Sequence, residues 1–263
     1  MNALIINADD FGKDKNKVEW TVKGFEKKAL TSATIMAGMP GTELAVKYAL
    51  EHPEFSYGLH LQLAEGCPIS NPDTIPSLVD RRTGKFWGMR QYVLRVNLGL
   101  IREDDLRREI VAQYNCLANL GLKVHHLDGH GHVHRYPAVI KVLYSLKKDL
   151  SIKTVRRVQD ICLRETGYIK RIMSKQWQNR VAEHFRTPDH FFMASKQTNN
   201  PKWFSDFMER GLPTGVTEVG IHPGDDKEWR KLDTIDVYSF DFSNVYMINF
   251  NDLVGEKLNG SVE

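Results

Sequence analysis

His126-Leu127-Asp128-Gly129-His130-Gly131-His132-Val133-His134 sets four histidines, a carboxylate and two glycines in one short stretch. Imidazole is the commonest protein ligand for transition metals. Extended backbone turns successive side chains to opposite faces. Read as extended chain, the stretch projects Asp128, His130, His132 and His134 the same way, and the glycines leave the other face bare. A polar loop with chance histidines is the bland alternative, and the density of the cluster argues against it. The apolar run Leu122–Leu127 just before it reads as a strand. The cluster then falls at a strand's carboxyl end, where α/β folds place their chemistry.

Three other stretches repeat that placement. Ala3–Asn7 is a short apolar run of the buried parallel-strand type, and Asp9 and Asp10 follow it at once. Adjacent carboxylates there are costly unless they are paired or bind a metal. Tyr57–Leu63 alternates Leu59, Leu61 and Leu63 with His60 and Gln62. In a closed barrel His60 would face the lumen, whereas in an open sheet it would face solvent. Val216–Ile221 is a further strand, and His222-Pro223-Gly224 comes directly after it. Asp225 and Asp226 read as a helix-starting turn.

Between these points strands and helices alternate without a linker or repeat. Helices are expected over Val18–Lys28, Glu43–Glu51, Asp104–Leu120, Pro137–Lys148, most of Cys162–Phe185, and Lys202–Arg210. Strands are expected over Ser32–Met36, Thr154–Val158, His190–Met193 and, last, Val245–Asn249. Residues 64–102 are irregular, a length that implies function or short helices. Phe86, Trp87 and Tyr92 there could stack on sugars, although core packing is the commoner fate of such residues. The pattern predicts one α/β domain over residues 1–255, a TIM-like (β/α) barrel whose carboxyl-end loops meet at one site. Residues 256–263 read as a flexible tail.

Composition narrows the function classes. The chain has 263 residues, 41% hydrophobic and 26% charged, as in ordinary globular domains. A net charge of +3 without a dense basic tract argues against nucleic acid. Lys147-Lys148 and Arg156-Arg157 read as solvated surface pairs. Cys67, Cys116 and Cys162, widely spaced and odd in number, suggest buried thiols in a reducing compartment. The N-terminal apolar run is too short and too acidic for a signal peptide, and no run approaches membrane-spanning length. A cytoplasmic protein without a membrane span is expected.

Four motifs resemble the YdjC-like carbohydrate deacetylases: Leu4-Ile5-Ile6-Asn7-Ala8-Asp9-Asp10-Phe11-Gly12, Gly58-Leu59-His60-Leu61, His126 through His134, and Gly220-Ile221-His222-Pro223-Gly224. They come in family order with family-like spacing, from residue 4 to about residue 224. The resemblance implies a distorted (β/α) barrel that removes acetyl groups from N-acetylated amino sugars of oligosaccharides or glycoconjugates. It also implies one divalent metal ion, with zinc or magnesium expected and other transition metals compatible. By motif position Asp10, His60 and His130 match the metal ligands. Asp9 matches the general base and His222 the proposed general acid. Asp128 would fix a ligand imidazole, and His132, His134 and Arg230 would line or support the pocket. Relatives often dimerise, so a homodimer is an expectation.

This chain departs from the family at Lys13-Asp14-Lys15, where small or apolar residues are usual. It departs again at Gly129, where serine is usual, and at Arg230-Lys231-Leu232, which keeps the arginine but lacks the glutamate. The proposed metal ligands are untouched, so these changes bear on which sugar is bound. Two other readings compete: a metal-dependent phosphoesterase or amidohydrolase on a similar barrel, and a non-catalytic sugar-binding relative. The first often carries His-x-His at the end of its first strand, whereas this chain has Asp-Asp there.

Overall fold

The computed structural model of the chain describes residues 2–161, 168–193, 202–224 and 235–254. Seven parallel strands form one sheet: β1 (Asn2–Phe11), β2 (Ser32–Ile35), β3 (Ser56–Leu61), β6 (His126–Gly129), β7 (Thr154–Val155), β8 (His190–Met193) and β9 (Gly215–Ile221). Their order is β7-β6-β3-β2-β1-β9-β8. Isolated parallel bridges Thr154↔Arg186 and Ile161↔Phe192 join the two flanks, so the sheet curls into a distorted barrel. Helices α1 (Lys15–Glu26), α2 (Thr42–Glu51), α4 (Glu103–Ala118), α5 (Pro137–Leu146), α6 (Tyr168–His184) and α7 (Trp203–Glu209) cover it. Asp14 starts α1 by accepting a hydrogen bond from the Lys17 backbone amide.

Alternation along the strands divides the interior in two. Leu4, Ile6, Ala8, Leu59, Leu61, Leu127, Val219 and Ile221 face the helices and belong to the main apolar core. The opposite face lines the lumen. Ala3, Ile5, Val216, Ile248 and Phe250 form an apolar plug there. Next to it His126 stacks on Phe250 at 3.8 Å between ring centroids, and its Nε2 lies 3.3 Å from Asn7 Oδ1. Further along the strands the lumen becomes polar, with Asn7, Thr34, His60, Asp128 and Glu218 all buried.

Several expectations need correction. Leu122–His125 is not strand; β6 begins at His126. Val245–Asn249 makes a single bridge, Leu4↔Met247, and not a full strand. Cys67 is exposed and Cys116 half-buried, so neither is a core thiol. Cys162, Asp225, Asp226 and the tail at 256–263 lie outside the described residues. Among those described, no helix is long and apolar enough to cross a membrane.

The irregular stretch after β3 holds a short hairpin of β4 (Val79–Asp80) and β5 (Lys85–Phe86), then α3 (Met89–Asn97). Phe86 and Tyr92 are buried in the core, while Arg95 stacks on Trp87. One face of α4 fastens the stretch. Gln113 exchanges two hydrogen bonds with the Gln62 backbone, and the Ser77 amide donates to Asp105. Buried Glu109 accepts from the amides of Ile69 and Ser70. Glu109→Ala would strand both amides, and charge-assisted bonds are the stronger kind. It is expected to lower stability by about 2–3 kcal/mol, read as a reduced urea midpoint at unchanged slope.

Candidate functional site

Strand alternation should send Asp9 and Asp10 to opposite faces. Asp10 instead adopts φ 59°, and the β1–β2 register shifts between Ala8 and Phe11. This bulge turns Asp10 toward the lumen mouth beside Asp9. A left-handed aspartate is uncommon and strained, and such strain persists where the surroundings enforce it. Gly12, at φ 85°, completes the turn; a Cβ there would lie 3.2 Å from the Thr42 backbone.

Asp10 Oδ1 accepts from His130 Nδ1 at 3.1 Å and lies 3.2 Å from His60 Nε2. The second contact is poorly aligned, and His60 Nε2 is left buried without a hydrogen-bond partner. The opposite nitrogen, Nδ1, donates to Asp128 Oδ1 at 2.7 Å. That bond leaves Nε2 as the nitrogen a metal would take in place of a proton, as in a ligating imidazole. Asp10, His60 and His130 each offer an atom within 4.8 Å of the others, a spacing that an ion with bonds of about 2 Å can bridge. The residues therefore fit a divalent metal. Asp9, His60 and Asp128 are as close together, but both of those carboxylates are already paired with an arginine. Lys13 Nζ, 3.3 Å from Asp10 Oδ2, holds the oxygen turned away from the histidines.

That arginine is Arg156, just past β7, and it overturns the reading of Arg156-Arg157 as a surface pair. Arg156 is fully buried. It grips Asp9 with two hydrogen bonds of 2.7 Å, pairs with Asp128 Oδ2 at 2.6 Å and donates from Nε to Glu218 Oε1 at 2.6 Å. Asn7 Nδ2 donates to Asp9 and to Thr34 Oγ1, and Thr34 donates to Asp128. One polar network thus joins Asp9 to the residue that orients His60.

The charges follow from this network. Burial pushes the Asp9 carboxyl up, yet the Arg156 charge and hydrogen bonds outweigh it and hold Asp9 well below the usual carboxylate range. Asp9 is therefore anionic throughout the neutral range. Burial works against a charged His60, but Asp128, Asp10 and Asp9 raise it to about 10. The pocket thus favours a cation at that nitrogen. Glu218 is raised to about 8, mainly by burial.

The histidine stretch does not run extended. Gly129 ends β6, and His130–Arg135 forms a 3₁₀ turn with Gly131 and His132 both left-handed, at φ 59° and 57°. Asp128 and His130 still converge on the pocket, but His134 is fully buried and neither ring nitrogen has a hydrogen-bond partner. His132 is half-buried, edge-on to Phe191 at 5.8 Å. Burial, with Arg135 and Arg156 nearby, pushes it down to about 3, so it is neutral. His222 Nε2 stands 4.0 Å from Asp9 Oδ2, past the end of β9. Glu65, from the fastened segment, reaches within 3.7 Å of His130 Nε2. Arg230 lies outside the described residues.

The family model described as YdjC-like protein matches residues 3–246. The chain is 36% identical over 149 residues to a carbohydrate deacetylase of Brevibacillus brevis, covering 57% of each protein. It is 36% identical over 154 residues to one from Geobacillus stearothermophilus, covering 58% of this chain and 59% of that one. The chain thus matches under two thirds of the length of these two relatives. A carbohydrate deacetylase of Clostridium beijerinckii aligns more fully, at 29% identity over 266 residues, with 95% of this chain and 99% of that one covered. A crystal structure from Enterococcus faecalis V583, of a candidate cellobiose-phosphate cleavage protein, superposes with a TM-score of 0.77 at 21% identity. It covers 96% of this chain and 99% of that one, a likeness of fold.

Proposed function

The chain belongs to the YdjC-like family, and from that we propose that it is a metal-dependent carbohydrate deacetylase, hydrolysing the acetamide of N-acetylated amino sugars. The observation that carries the reading is the meeting of Asp10, His60 and His130 at one lumen mouth, with the Asp9–Arg156 pair and His222 beside them. A divalent ion, zinc or magnesium by expectation, would supply Lewis-acid polarisation of the acetyl carbonyl and a more acidic water.

The remaining work falls to side chains. Asp9, anionic and held by Arg156, accepts the proton of the attacking water. His222, whose Nε2 stands 4.0 Å from Asp9 Oδ2, hands a proton to the departing nitrogen. Asp128 keeps His60 in its ligating tautomer. His132, neutral and partly open, lines the pocket as a hydrogen-bonding contact for the sugar, while His134 supports the turn from within. We place the protein in the cytoplasm, acting as a monomer or homodimer.

Acetate release from a panel of N-acetylated sugars tests the reading. The purified chain is expected to release acetate, to lose that activity on chelation and to recover it with one added divalent ion. Hydrolysis of phosphate esters without any acetate release would overturn the proposal.

A further inference from the structure

Resting on the deacetylase reading, we propose that Glu218 is a positioning residue for the reaction, acting through Arg156 by one hydrogen bond that locks the guanidinium against Asp9 and Asp128. The lumen face of β9 reads Val216, Glu218, Gly220, and His222 follows the strand's end. Glu218 Oε1 accepts from Arg156 Nε at 2.6 Å. Gly220 leaves room for the guanidinium: a Cβ there would lie 3.3 Å from Arg156 Nη2 and 2.6 Å from Met193 Cε. The Phe191 ring closes on the group at 4.6 Å from Cζ.

A guanidinium is a rigid planar fork on a flexible stem. Asp9 and Asp128 hold only its terminal nitrogens. Without a third point at Nε the fork can pivot on that pair, and Asp9 would swing with it. With Nε fixed, the fork presents Nη1 to Asp9 and Asp128 together, so the proposed base and the partner of His60 are set by one group. Misplacement of a reacting group by about 1 Å can cost about 100-fold in rate.

The job is geometric, since only one oxygen of Glu218 is used. Oε2 is buried without a hydrogen-bond partner. Burial also raises the Glu218 carboxyl to about 8 against the pull of Arg156, so a neutral acceptor at the same distance should serve. Two substitutions separate geometry from charge. Glu218→Gln keeps the acceptor at its distance on an amide that never ionises; Glu218→Asp keeps a carboxyl and withdraws it by one methylene.

Glu218→Gln is expected to hold kcat within about threefold, while Glu218→Asp lowers kcat by about 10–100-fold with KM within about twofold and metal content unchanged. Arginine Nε–H signals in NMR report the bond without substrate. One slowly exchanging signal in the wild-type protein should persist in Glu218→Gln and vanish in Glu218→Asp. Wild-type kcat in Glu218→Asp, or a fall in Glu218→Gln as deep as in Glu218→Asp, overturns the lock. If the wild-type protein releases no acetate from any N-acetylated sugar, the deacetylase reading fails, and the Nε–H signals alone decide the lock.

Discussion

Asp10→Ala and His60→Ala are each expected to lose metal and acetate release together. Each removes an atom of a three-member set that converges within 4.8 Å. The loss of transition-state charge stabilisation amounts to several kcal/mol, or about 1,000-fold or more in kcat/KM. Alanine at position 10 must also hold φ near 59° without the hydrogen bond from His130, so Asp10→Asn, which tolerates that backbone better, is the cleaner control. A gradient should follow from the contacts. Asp128→Asn leaves the ligands in place but weakens the orientation of His60, and should lower metal affinity by about 10–100-fold. His134→Ala should leave metal content intact, because His134 is buried with neither ring nitrogen hydrogen-bonded and is not one of the three residues that converge. Elemental analysis beside acetate release checks the series. Stoichiometric metal in His60→Ala would place the ion elsewhere.

Part of this arrangement is legible in the sequence because strand ends and periodicity are local properties. Ala3–Asn7, Tyr57–Leu63 and Val216–Ile221 each carry period-two or continuous apolar patterns, and the polar residues at their ends land in one lumen. The resemblance to a deacetylase family then named Asp10, His60 and His130 together, and these three do meet. What was not legible depends on distant partners. Arg156 beside Arg157 reads as surface because nothing within a few residues shows its partners; Asp9 lies 147 positions away and Glu218 lies 62 away. The only available signal was that Glu218, an acid in the middle of an apolar strand, needs a buried cation. The histidine stretch misled for a different reason. Its glycines suggested a bare face, whereas Gly131 and His132 take left-handed conformations that end the extended run. Alternation cannot be carried through such a turn. Val245–Asn249 has strand-like composition but forms one bridge, since β2 already pairs with the far half of β1.

Asp9→Asn should keep the metal and lose turnover. Asn7 and Arg156 contact both oxygens of Asp9, and an asparagine presents an amide of the same shape there, so the ligands at the lumen mouth stay in register. It cannot accept a proton, and kcat should fall by about 10²–10⁴, the range for a general acid–base group. One amide nitrogen will also face an Arg156 N–H in place of an acceptor, leaving a buried donor unmatched. A moderate fall in thermal stability is therefore expected with the loss of rate. His222→Ala separates the two effects. It stands 4.0 Å from Asp9 and is partly exposed, so its removal should leave stability and metal content near wild type. Turnover should still drop, and least for substrates whose leaving amine needs little protonation. Metal content, melting temperature and acetate release measured together for both variants decide the assignment. Loss of metal in Asp9→Asn would make Asp9 a ligand, and near-normal turnover would mean that another group takes the proton. In either case the carboxylate held by Arg156 would not be the base, and a different group at the lumen mouth would have to take the proton.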